Sequence, residues 1–429
     1  MDKTYLYHAV EEKAPVITGI SDKIWEYAEL SMMEVCSTAE YVSVLKQEGF
    51  TVQENLCGIA TAFSGSFGSG RPVIGFLGEY DALSALSQAA GLSHPHPLTE
   101  GGCGHGCGHN LLGAGSLGAA IAVKKAIEAG LLKGTVVFYG CPGEEGCAGK
   151  TFMARDGMFR DLDAAELMNV GVQFLREHMR PKESVHYSFT DAGGISPNVV
   201  QPTATLIYMI RGETVRTAKA LARRVDDIAK GAALMTGTTV TSHQIDGTAN
   251  TLSNSILEQL LHDNLMAAPL PEYTQEEILF ARKMKATFAP SPLPGQLTNE
   301  DPRIKKLVIQ KTENGRKAIN DFVFPYVPSY KFSSGSTDVG DVSWLTPTAQ
   351  FDAVTWPSGS PGHSWQNVSM GKTSMAHKGM LMAAKVLAGA AADLMENPAL
   401  LAQVRDEFEI TAADGYDCPI GPEVVPVIG

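Results

Sequence analysis

Two short runs without a charged residue, 73–77 in "RPVIGFLGEYDAL" and 135–139 in "GTVVFYGCPGEEGCAGK", flank a stretch of small and apolar residues at 110–130. Apolar runs of that length bounded by turn residues read as strands buried on both faces. The stretch between them, small on most faces and stopped by Gly130, reads as one buried helix. Upstream, residues 11–30 and 38–50 carry apolar side chains at helical spacing, the second ending at Gly49. This alternation predicts an α/β fold with a mostly parallel sheet covered by helices.

From about Ala164 the character changes. An amphipathic helix at 164–179, strands at 184–194 and 202–212, a helix at 213–235 and a last strand at 237–245 form the pattern of a small α+β layer. A proline-rich, irregular stretch follows at 268–303, and then a segment without a clean period. A helix at 372–395 and a polar tail end the chain, and no internal repeat is visible.

With 429 residues, 44% hydrophobic and 19% charged, the chain has the composition of a soluble globular protein that can bury a core without staples. Seven cysteines and a start with neither a basic region nor a continuous apolar run point to a reducing, cytoplasmic setting. No run is long enough for a membrane span, and a net charge of −13 disfavours nucleic acid as a partner.

Ligands of open α/β sheets gather beyond the carboxyl ends of strands, and three suggestive segments fall there: "GEYDAL", "HGCGHN" and "PGEEG". Together they offer thiol, imidazole and carboxylate groups, a mixture suited to Zn2+ or Mn2+. Cys107 and His109 are close enough to share one ion, while Cys103 and His105 open the same stretch. Taken alone, each segment has a plainer reading. Glycines flanking histidines can form a simple turn, a free cysteine is often a small buried hydrophobe, and adjacent glutamates are often a solvated loop. Asp81 could equally cap a helix, and His363 could sit on the surface.

The segments "GEYDALSALSQ", "GHGCGHNLLGAGSLGAA", "GCPGEEGCAGKTFMARDGMF", "GGISPNVVQP", "GAALMTGT", "STDVGDVSW" and "PGHSWQ" with "GKTSMAHKGMLMAAK" occur in this order along nearly the whole chain. In that order and context the chain resembles the M20 metallopeptidase family, most closely its amidohydrolase branch and, within it, the aminobenzoyl-glutamate hydrolases. The resemblance implies a zinc-peptidase-like catalytic domain (1–163 and 249–429) interrupted by a smaller α+β lid and dimerisation domain (164–248). It implies Cys107, His109, Glu145 and His363 as metal ligands, Glu144 as general base and Asp81 as the acidic residue supporting the ligands. Asn198 and Arg211 are the matching positions for reading a substrate carboxylate, which a guanidinium can do bidentately.

The expected activity is hydrolysis of the amide bond of an N-acyl amino acid with Mn2+ or Zn2+. An aromatic acyl group on glutamate or aspartate is preferred, aminobenzoyl-glutamate and indoleacetyl-aspartate fitting equally. The alternatives are an M20-type dipeptidase and a catalytically weak or silent member acting as a binding or regulatory subunit. A homodimer is expected, or assembly with a related second subunit. One departure from the family stands out. After "RDGMFRDLDAA" the chain passes directly to sequence that the family places further on, so two family histidines are absent, one of them the ligand completing a second metal position. The expected consequence is an apparently truncated lid and one tightly held ion per chain, with His178 and His186 the nearest substitutes.

Overall fold

The computed structural model describes residues 1–153, 155, 175, 179–191, 205–236, 238–289, 302–328, 335–421 and 424–425. Two helices open the chain, α1 (Thr4–Tyr27) and α2 (Val35–Gln47), each burying one apolar stripe. Strands β1 (Thr51–Glu54), β2 (Phe63–Ser69), β3 (Val73–Gly78) and β4 (Gly134–Gly140) form one sheet in the order β1-β2-β4-β3. Between β3 and β4 runs α3 (His109–Glu128), buried along almost its whole length as its small-residue composition predicts.

The sheet is mixed rather than mostly parallel. Only β3 and β4 pair parallel, from Val73↔Thr135 to Gly78↔Gly140, while β1 with β2 and β2 with β4 are antiparallel. β1 is short and mostly exposed, and β2 alternates with serine and glycine, so neither has the continuous apolar signature that identifies β3 and β4. The parallel pair fixes the site, because its strands end side by side: Cys141 donates its N–H to the Gly78 carbonyl at 2.8 Å. α3 lies close over that end, and a Cβ at Gly113 would come within 2.4 Å of the Glu79 carbonyl oxygen.

The main core joins Ile17 of α1 and Tyr41 of α2 with Leu117 and Ile121 of α3, Phe138 of β4, and Met380 and Ala384 of a later helix. Short helices α4 (Glu144–Cys147) and α5 (Gly149–Met153) follow β4. A separate two-stranded antiparallel sheet, β5 (Ser184–Asp191) with β6 (Thr205–Arg211), is followed by α6 (Val215–Thr236). Val185, Leu221, Val225 and Ala229 make a core of their own there. The predicted helix at 164–179 lies outside the described residues except for Leu175 and Met179.

The predicted strand at 237–245 is absent among the described residues, since 238–250 runs as irregular chain. Its apolar Val240 instead packs against the core beside β5 and β6 without joining their sheet among the described residues. Residues 268–303 are not uniformly irregular either. After α7 (Ser255–Ala267) comes α8 (Gln275–Lys285), started by a capping box in which Thr274 and Glu277 bond reciprocally. Helices α9 (Pro302–Lys311), α10 (Val339–Ser343), α11 (Trp365–Met370) and α12 (Ser374–Glu396) follow. The polar tail contains α13 (Pro398–Thr411), with Asn397 capping it and proline at its first position. Among the described residues, no helix is long and apolar enough to cross a membrane.

Candidate metal centre

Each strand of the parallel pair delivers acidic residues as it ends. Glu79 and Asp81 follow β3, and Glu144 and Glu145 open α4 after β4. The third contribution comes from the start of α3. Gly108 holds φ at 85°, a left-handed conformation that suits glycine, and sets His109 as the first helical residue with Cys107 just before it. His363 comes from the loop before α11 and is itself left-handed, with φ at 48°. A non-glycine residue in that region stores strain, which suits a side chain held to a task.

These elements bring Cys107, His109 and Glu145 together, with one ligand atom of each within 4.8 Å of the others. His363 stands at the rim: its Nε2 is 3.6 Å from Glu145 Oε2, and its side chain is 58% exposed. Asp81 organises the group from below. One of its oxygens lies 2.9 Å from His109 Nδ1, and the other accepts the Ser31 hydroxyl at 2.7 Å and the Glu145 backbone N–H at 2.9 Å. Burial opposes charge on Asp81, yet the His109 hydrogen bond and charge, with those other donors, hold its carboxyl well below the usual range. With Nδ1 engaged, His109 turns Nε2 toward the carboxylates. Glu34, fully buried, accepts the Gly143 N–H at 2.8 Å and so steadies the turn that presents Glu144 and Glu145.

The donor set fits a divalent ion. Thiolate, imidazole and carboxylate suit Zn2+ or Mn2+. One oxygen of Glu145 is buried without any hydrogen-bond partner, and an acceptor left so is costly unless a cation meets it. Burial pushes the Cys107 thiol up, so its thiolate needs a positive partner. Cys107 is not part of a disulfide.

A second group, Glu79, Glu144 and Asp338, also places its carboxylate oxygens within 4.8 Å of one another. Burial, then the neighbouring charges of Glu79 and Asp338, push the Glu144 carboxyl up to about 7. The cation among these acids is Lys150, wholly buried, with Nζ 2.8 Å from Glu79 and 2.6 Å from Asp338. Glu79 reaches on to His109, 3.3 Å from its Nε2. Sequence patterns assign no role to Glu79, Lys150 or Asp338. "GEYDAL" and "STDVGDVSW" contain the two acids, but only the fold places them around one lysine.

Among the described residues, none of the remaining candidates joins either group. Asn198, His178 and the abrupt junction after Ala165 are outside the described residues. Arg211 ends β6, with its guanidinium nitrogens 3.1 and 3.3 Å from Met209 Sδ, and His186 is exposed on β5. His105 is buried and pairs through Nε2 with the Ile24 carbonyl at 2.9 Å, and burial lowers its pKa to about 4. That contact joins the loop to α1.

Asp81→Asn keeps the shape but removes the charge that orients His109. Its expected effect is ~10–100-fold weaker metal binding, read by competition with a chromogenic chelator. Unchanged affinity would show that Asp81 does not support the centre.

The model for peptidase family M20/M25/M40 matches residues 75–325. The chain is 39% identical to one of the subunits of the p-aminobenzoyl-glutamate hydrolase of Escherichia coli (strain K12), covering 98% of both chains. That alignment spans 478 positions, which 429 residues cannot fill, so the relative carries positions that this chain lacks. It is also 25% identical to the Xaa-Arg dipeptidase of Mus musculus over 93% of this chain and 90% of the relative. Among solved structures, a protein of methicillin-resistant Staphylococcus aureus, described as an aminohydrolase, shares the fold. The TM-score is 0.54 at 16% identity, covering 92% of this chain and all of the other.

Proposed function

Because the chain belongs to peptidase family M20/M25/M40, it is a metallo-hydrolase of amide bonds, and we propose that it cleaves N-acyl amino acids carrying an aromatic acyl group on glutamate or aspartate. The observation that carries this reading is the division of labour between two adjacent glutamates. Glu145 gathers with Cys107 and His109, whereas Glu144 belongs to the neighbouring group of acids. A ligand and a base side by side, one on the ion and one free of it, suit metal-assisted hydrolysis of an unactivated amide.

Cys107, His109 and Glu145 would hold a Zn2+ or Mn2+ ion, with His363 at the open rim. The bound ion supplies Lewis-acid polarisation of the amide carbonyl and lowers the pKa of water. Glu144 takes the proton of the attacking water and returns it to the leaving amine, a role worth ~10²–10⁴-fold. Its carboxyl, pushed up to about 7, is poised for both directions of transfer. Asp81 keeps His109 oriented throughout.

Recognition of the substrate carboxylate falls, in this proposal, to Arg211 and Asn198, within a lid formed by 164–248. The Escherichia coli relative is named for a glutamate-containing substrate, which supports an acidic amino-acid half. Its name also makes it one component of a hydrolase with more than one kind of chain, so the proposal extends to assembly with a related second subunit. The test is release of the aromatic amine from aminobenzoyl-glutamate by protein loaded with Mn2+ or Zn2+, beside indoleacetyl-aspartate and an Xaa-Arg dipeptide. Turnover of the dipeptide alone would replace the proposed substrate class.

A further inference from the structure

We infer that the buried ammonium of Lys150 is the resident cation of the Glu79–Glu144–Asp338 group and keeps that group closed to a divalent ion. Three carboxylates within 4.8 Å would ordinarily be a candidate for a hard cation with oxygen ligands. Here Lys150 Nζ already stands 2.6 Å from Asp338 and 2.8 Å from Glu79. Divalent ions hold carboxylate oxygens at ~2.0–2.6 Å, so an ion bound to those same two oxygens would share them with the ammonium only a few ångström away. Repulsion between the two like charges, in a buried site without water to screen it, disfavours the ion.

The lysine cannot easily swing away. Asp338 accepts the Lys150 backbone N–H at 2.9 Å with one oxygen and the ammonium with the other, gripping the residue at both ends. The side chain is fully buried in between, on the short helix α5, and the next residue is tied as well: Thr151 donates to Asp341 at 3.1 Å. Solvent offers the ammonium no alternative site. A lysine suits this place better than an ion would, because its compact charge is delivered by the chain itself and does not depend on metal supply. The group borders the centre, since Glu79 spans from Lys150 to within 3.3 Å of His109 Nε2. Lys150 is therefore a positioning residue: it fixes Glu79 and Asp338 around Glu144 and leaves Cys107, His109 and Glu145 as the place for a metal ion.

This inference rests on the reading of Cys107, His109 and Glu145 as metal-holding, and its test separates the two. Mn2+ bound per folded chain is counted by elemental analysis after equilibrium dialysis, for wild type, Cys107→Ala, Lys150→Met and Asp338→Asn, with circular dichroism to establish folding. Lys150→Met keeps the buried stem and removes the charge, so it is expected to bind one equivalent more than wild type. Lys150→Arg, which keeps the charge, is expected to match wild type. A folded Lys150→Met that gains no equivalent overturns the inference. Should Lys150→Met not fold, Asp338→Asn decides: an unchanged count supports the inference, and loss of an equivalent shows that the acids were holding an ion. Failure of the metal-centre reading appears separately, as a wild-type count that Cys107→Ala leaves unaltered.

Discussion

Cys107→Ala is expected to release the bound metal and abolish hydrolysis together while the fold survives. The thiol is one of the three side chains the fold converges, and the other two cannot satisfy a four-coordinate ion alone. Losing a direct ligand should cost at least the ~10–100-fold in affinity that removing a supporting residue costs. Hydrolysis should fall by ~10³-fold or more, because polarisation of the carbonyl goes with the ion. The residue sits in a glycine-rich loop and is only partly buried, so metal-free wild type and variant should unfold within about 1 kcal/mol of each other. The comparison must use metal-free protein, since an ion that binds only the native state stabilises it by mass action. Full metal occupancy in folded Cys107→Ala, measured by elemental analysis, would remove Cys107 from the centre.

The parts of this site that could be read in the sequence were local. Two apolar strands with a small-residue helix between them identify β3, α3 and β4, and strand ends are where such folds collect chemistry. Cys107 and His109 are two residues apart and Glu144 and Glu145 are adjacent, so each pair is visible as a motif. His363 is visible only through resemblance, because nothing near it in sequence is a ligand. The supporting residues are a different matter. Ser31 reaches Asp81 across 50 positions, Glu34 reaches Gly143 across 109, and Asp338 reaches Lys150 across 188. Separations of that kind leave no period or spacing to read, and an isolated lysine in "GKTFM" looks like any surface residue until the fold buries it.

The misread elements have equally physical causes. β2 carries mixed polar, glycine and aromatic residues and is a strand because β4 offers it an antiparallel edge, and the polar β1 is one because β2 in turn offers its own. The stretch at 238–245 has strand-like composition yet stays irregular where it is described, although Val240 packs against the core beside β5 and β6. Composition also hid α8 and α13, which lie in proline-rich or polar surroundings and are started by side-chain caps at Thr274 and Asn397. Helix caps are short signals, easily outweighed when a whole window is scored for period.

Glu144→Gln and Glu145→Gln are expected to fail in opposite ways. Glutamine is nearly isosteric with glutamate, so neither change should disturb α4, and the difference reports chemistry. Glu144 lies among Glu79 and Asp338, and its Oε2 is 3.9 Å from His109 Nε2, so removing its charge leaves Cys107, His109 and Glu145 intact. Metal content should stay, and kcat should drop by ~10²–10⁴-fold with little change in KM, the mark of a group that acts in proton transfer rather than in binding. Glu145 has one oxygen buried without a partner and the other 3.6 Å from His363. Its amide would place a weaker, neutral donor against the ion. Metal affinity should fall first, and added Mn2+ should restore part of the lost rate for Glu145→Gln but none for Glu144→Gln. A reversed pattern, with metal lost from Glu144→Gln and retained by Glu145→Gln, would exchange the two roles and place the ion between His109 and the acids held by Lys150.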